Sequence, residues 1–241
     1  MAESPKVYLI LGPNGSGRRA LIADFFDILE SKSSVLYFKH KDEIINDYDP
    51  SLERLNSVST VLWSVEGSKI KHESISVNPS SVFFIAPASI DLADVIEGLK
   101  GWLDKNECQL TRIITVIDCK SLSEDNSQNC WYDAAVHFSD MVLLNRREGV
   151  SEKWIKDMVT EKKEHFRTTR FELVKKNKVK NPNDILDSQT YRTSLFFDDL
   201  IFIEEDEFED LLPEDRKEDP YIERLENGKR AKLIKKILLY N

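Results

Sequence analysis

The chain has 241 residues, 41% hydrophobic and 32% charged, with 34 lysines and arginines against 43 acids for a formal charge of −9. That length supports a sizeable buried core and the composition is globular, while the acidic balance repels phosphate backbones and argues against broad nucleic-acid binding. The longest apolar runs, Val7 to Leu11 and Val82 to Ala88, fall far short of the roughly 18 to 20 residues of a membrane span.

In chain order, Lys6 to Leu11 is a short, nearly continuous apolar run of strand length, followed at once by Gly12-Pro13-Asn14-Gly15-Ser16-Gly17. From Arg18 onward, Leu21, Ile22, Phe25, Phe26 and Leu29 recur at the spacing of an amphipathic helix. The same alternation predicts strands at 34–38, 82–86, 113–117, 141–144 and 170–174. Helices are expected at 92–103, through Trp131 to Phe138, and from Ser151 through Val159. Between these lie two alternating runs, 58–65 and 69–77, across Glu66-Gly67-Ser68, which predict a small hairpin insertion. The fold expected for residues 1–175 is therefore α/β, a doubly wound, mostly parallel sheet of P-loop NTPase type. Residues 176–241 change texture, with an acidic run from Glu204 to Asp210. They predict an acidic C-terminal extension, partly packed on the domain through Leu195 to Phe197 and Ile201 to Ile203.

The N-terminus shows no basic leader or cleavage pattern, and Cys108, Cys119 and Cys130 are odd in number and far apart. A cytoplasmic protein without disulfides is expected. His40, His72, His137 and His165 show no paired spacing, so ordinary surface imidazoles are expected and no structural metal.

The glycine loop carries the chemistry. In the pattern G-x-x-x-x-G-K-[ST], backbone amides gather around a phosphate at a helix N-terminus, the lysine neutralises charge and the hydroxyl holds magnesium. Here Gly12, Asn14, Gly15, Ser16 and Gly17 keep the spacing and the context. Arg18 replaces the lysine and Arg19 the hydroxyl. Arginine holds phosphate oxygens through its planar fork, whereas a guanidinium cannot ligate a cation. Either Arg19 replaces the charge of magnesium in a metal-independent phosphate site, or the loop is a relic.

The ordered set formed by this loop, the strand ending Val116-Ile117-Asp118, the turn Ser139-Asp140 and the strand ending Asn145-Arg146-Arg147-Glu148 resembles the CobW/HypB/UreG family of P-loop GTPases over about residues 6 to 175. The resemblance implies that GTP is bound, with Gly12 to Arg19 on the phosphates and Asn145, Arg146 and Glu148 at the base. Glu148 stands for the family's guanine-reading aspartate and Arg146 for its lysine. The family's acid and glycine after the strand at 82–86 are missing from Ala86-Pro87-Ala88-Ser89-Ile90-Asp91, and its C-x-C-C metal motif has no counterpart in Leu62 to Ile70. Asp91 and Asp118 read best as a helix N-terminal acid and a strand-end acid. Hydrolysis is expected to be weak or absent, with the use of Mg in doubt. The alternative is a pseudo-GTPase interaction module that binds no nucleotide, with the acidic tail docking a basic protein partner. A small-molecule kinase ranks last, because the lysine and the magnesium ligand are both absent.

Overall fold

The computed structural model describes residues 4–29, 34–44, 47–53, 55, 57–198 and 218–238. Its centre is an eight-stranded sheet made of β1 (Lys6–Gly12), β2 (Val35–His40), β3 (Val58–Glu66), β4 (Lys69–His72), β5 (Ser81–Pro87), β6 (Leu110–Asp118), β7 (Met141–Asn145) and β8 (Arg170–Leu173). The order across the sheet is β4-β3-β2-β5-β1-β6-β7-β8, and every pairing is parallel except β3 with β4. This is the doubly wound P-loop NTPase-like arrangement expected. The expected hairpin is β3 with β4, antiparallel from Trp63↔His72 to Glu66↔Lys69, and β3 also pairs in parallel with β2 from Val35↔Val58 to His40↔Trp63, which builds the hairpin into the main sheet.

Strand periodicity distributes the core between two faces. Val7, Leu9 and Leu11 of β1 join Phe84 of β5 on one face, against the helices α3 (Leu92–Lys105), α5 (Asn129–Phe138) and α6 (Glu152–His165). Tyr8 and Ile10 join Phe83 and Ile85 on the other, against α1 (Arg18–Ile28) and α7 (Pro182–Leu186). Central parallel strands are buried on both sides, hence their unbroken apolar runs. Stacked rings tie them laterally, Phe38 on Phe84 at 4.1 Å and Tyr8 on Phe83 at 4.6 Å between centroids.

Two short helices, α2 (Asp49–Glu53) and α4 (Cys119–Glu124), complete the layer. Beyond residue 175, Val179, Ile185 and Leu186 are buried with the α1 face, and Tyr221 and Ile222 with the α3 face. Phe196 and Phe197 pack partly buried on the latter. The acidic run 204–210 and Ile201 to Ile203 lie outside the described residues. No helix among the described residues is long and apolar enough to cross a membrane.

Candidate functional site

A doubly wound sheet places ligands beyond the carboxyl ends of its strands, where the chain order reverses. Here β1 lies between β5 and β6, and the glycine loop leaves its carboxyl end. Gly17 takes φ +92° at the N-terminal boundary of α1, a conformation that disfavours any side chain. A Cβ there would lie 2.2 Å from Asn145 Nδ2. That amide donates to Ser16 O at 2.8 Å and to Asn177 Oδ1 at 3.3 Å, so β7 holds the loop from the side. The Ser16 amide donates to Pro13 O at 3.2 Å, closing the turn.

Arg18 and Arg19 begin α1, and both are almost wholly buried. Two cations in the first turn stand at the positive end of the helix dipole, where charge of that sign is disfavoured by a few tenths to about 1 kcal/mol each. The compensating anions come from the segment after β2. Arg18 pairs with Glu43 Oε1 at 2.8 Å and donates to Asn14 Oδ1 at 3.1 Å. Arg19 donates to Glu43 Oε2 at 2.6 Å and reaches both oxygens of Asp49 at 2.8 Å. Lys39 adds a third cation, 2.8 Å from Asp49. The Glu43 side chain is fully shielded from solvent. Burial pulls the Arg19 pKa down, but the hydrogen bonds and charges of Glu43 and Asp49 outweigh it and hold the guanidinium above its usual range. Behind the cluster, burial holds the His40 imidazole below 6.5.

Only a cavity of about 50 Å³ remains, bordered by Gly15, Gly17, Arg18, Tyr48, Arg146 and Asn177. Sites for drug-sized ligands run from roughly 300 to 1,000 Å³, so the enclosed space at the loop is far smaller than such a site. A magnesium ion does not fit this arrangement, since Arg19 occupies the hydroxyl position and the two nearby carboxylates are bound to guanidinium groups.

The other residues singled out in the sequence have separate positions. Arg146 borders the cavity with its side chain 54% exposed, 4.0 Å from Asp118. Glu148 is exposed and does not border it. Asp91 caps α3 by accepting from the Asp94 amide at 3.1 Å, and Asp118 caps α4 by accepting from Ser121 at 3.0 Å. Just beyond β5, Ala88 donates its amide to Gly12 O at 3.1 Å and accepts from the Ile237 amide at 3.0 Å. The C-terminal segment therefore meets the sheet beside the loop. It is held on α3 by Arg224 to Glu97 at 2.8 Å and Arg230 to Asp94 at 2.9 Å, with Arg230 also bonded to Glu97.

Two histidines depart from surface imidazoles: His40 is buried, and His137 Nε2 lies 2.7 Å from Asp219. The three cysteines are free, and burial pushes the Cys119 thiol up to about 12. No cluster of three potential metal ligands occurs among the described residues.

Sequence reasoning missed Glu43, Asp49 and Asn177. The signal available was physical rather than a motif. Two adjacent arginines at a helix N-terminus need anions, and the acid-rich stretch Asp42 to Asp49 lies one strand further on.

No protein-family model and no curated protein matches the chain. Among solved structures, zinc-bound YjiA GTPase from E. coli aligns at 12% identity and TM-score 0.45, over 72% of this chain and 58% of that one. HypB from Helicobacter pylori in complex with nickel aligns at 13% and 0.48, over 76% and 84%. The signal recognition particle receptor FtsY from Elizabethkingia anophelis in complex with GDP aligns at 14% and 0.47, over 83% and 66%. The chain thus spans little more than half the length of YjiA, and at these scores nothing about ligand or reaction passes from those proteins to this one.

Proposed function

We propose that this chain is a pseudo-GTPase scaffold, a P-loop-type fold whose phosphate loop is filled from within and which serves as a protein-interaction module. The observation that carries the reading is the pairing of Arg18 and Arg19 with Glu43 and Asp49. The two side chains that would neutralise phosphate already hold carboxylates. A phosphate entering the loop has to displace two buried acids, and breaking such a pair costs roughly 3–5 kcal/mol. With Arg19 in the magnesium-hydroxyl position and Asp91 after β5 engaged as the cap of α3, the loop also lacks free groups to position a hydrolytic water. The acidic run at 204–210 remains, in this proposal, the segment a basic protein partner would meet.

A second reading, GTP bound at Gly12 to Arg19 with Asn145, Arg146 and Glu148 around the base, has one observation in its favour. The loop keeps its glycine conformations, and Arg146 borders the cavity. Titration with fluorescent GTP and ATP analogues, with and without magnesium, separates the two readings. The scaffold reading expects no saturable signal from the natural chain, and magnesium-independent affinity for pyrophosphate in the Glu43→Gln/Asp49→Asn variant. Magnesium-dependent saturation by the natural chain, or steady GTP turnover, contradicts it.

A further inference from the structure

The charge of this acidic chain is unevenly placed. Residues 146–180 hold twelve lysines and arginines against six acids, whereas the whole chain holds 34 against 43. This basic stretch includes α6 and β8, and β8 is the last strand of the sheet.

The hydrogen-bond register shows what that edge offers. The amides of Arg170 and Val174 point inward, donating to Asp140 O at 3.1 Å and Leu144 O at 3.0 Å. Alternation along a parallel strand then turns the N–H and C=O of Phe171 and Leu173 outward. Among the described residues, nothing hydrogen-bonds to those outward groups, and Leu173 is 53% exposed. Basic side chains surround the strand. Lys163 lies 5.8 Å from the Phe171 ring, and Lys156 stands two turns earlier on the same face of α6. Arg170 stacks on Tyr191 at 4.6 Å on the opposite face, and Lys175 and Lys176 follow the strand, both exposed. Glu172 is the single acid within β8.

From this we infer that the β8 edge receives an extended acidic peptide, which adds a strand to the sheet while its carboxylates meet Lys156, Lys163 and Lys175. Main-chain hydrogen bonds supply affinity in this mode and alternate side chains supply specificity. The observations favour a short peptide over nucleic acid. Screening limits the patch to about one Debye length, roughly 8 Å, so a short strand senses mainly the local positive charge. A long polyanion extends onto the acidic remainder of the molecule and is repelled. The inference rests on the scaffold reading and adds to it a second, acidic partner at the β8 edge, beside the basic partner of the run 204–210.

The test is fluorescence anisotropy with a labelled eight-residue peptide of alternating threonine and glutamate, added to the full chain. Binding should weaken with salt and fall about tenfold or more in Lys156→Glu/Lys163→Glu. It should fall similarly in Leu173→Pro, which removes one outward N–H and leaves the β7 ladder intact. A probe N-methylated at alternate residues tests the same hydrogen bonds without altering the protein, and it should bind as poorly. Three results overturn the inference. They are no binding to the natural chain, full binding of the methylated probe, or tighter binding of a single-stranded oligonucleotide of equal charge. A nucleotide titration on the same preparation reports separately on the loop, so nucleotide binding there would sink the scaffold reading while leaving the peptide result to be judged alone.

Discussion

The arginine–carboxylate clusters at the glycine loop and at the C-terminal clasp differ in burial more than in chemistry. At the glycine loop, Arg18, Arg19, Glu43 and Asp49 are all at most 8% exposed. At the C-terminal clasp, Arg224, Arg230, Asp94 and Glu97 make similar bonds, but the Arg224 and Asp94 side chains are 45% and 33% exposed, while Arg230 and Glu97 are 9% and 20% exposed. Water reaches the second cluster through Arg224 and Asp94, and does not reach the first. Removing one partner from the loop therefore strands a charge in low dielectric, while removing one from the clasp returns its partner to solvent.

The largest expected effect follows at Glu43. Glu43→Ala leaves two buried guanidinium groups without their shared anion and should lower unfolding stability by roughly 3–5 kcal/mol, read as a shift in urea midpoint at unchanged slope. Next is Gly17→Ala, which brings a Cβ against Asn145 at a positive φ and should cost about 1–3 kcal/mol. Asn145→Gly in the same chain should recover part of that loss; if the two losses simply add, Asn145 is not what confines Gly17. Arg224→Gln at the exposed side of the clasp should cost no more than about 1 kcal/mol, and the difference should shrink in molar salt. A loss there as large as that of Glu43→Ala would erase the contrast between the clusters.

The two regions should also separate by pH. Burial alone would raise the Glu97 pKa, but hydrogen bonds from Arg230, Ser68 and Arg224 hold it at about 2 against an ordinary 4.5. Its folded pKa is depressed, so its stabilisation is present above 4.5 and is lost as pH falls toward 2. His40, held below 6.5 by burial, has the same sign in a higher window, with its stabilisation present above 6.5 and declining as pH falls below it. Protection of the Ile237 amide from hydrogen exchange should therefore persist through the His40 window and fall only in the Glu97 window. Loss of protection near pH 6 would place the clasp under the control of His40 instead.

The strand, loop and helix from Lys6 to Ile28 were legible because each signal is local: a continuous apolar run, glycines at fixed spacing and an amphipathic repeat. Central strands read well for the same reason. The joining of β3 to β2 did not, because alternation marks a half-exposed strand without naming its neighbour. The helices α2 and α4 were missed because a turn or so of helix carries almost no periodicity. At the site, the sequence showed that Arg18 and Arg19 replace lysine and hydroxyl, yet the consequence was hidden. Glu43 and Asp49 approach from 24 and 30 residues away, at a distance only the fold determines. Asn145 was read at the end of the right strand, but it grips Ser16 O from the side of the loop.

The most direct test of the central claim is calorimetric titration of the unsubstituted chain with millimolar GTP, in magnesium and in chelator. A loop whose two arginines are already paired with Glu43 and Asp49 should give no binding heat in either buffer. A saturable magnesium-dependent isotherm would contradict it, because the arginines would then have been free for phosphate all along.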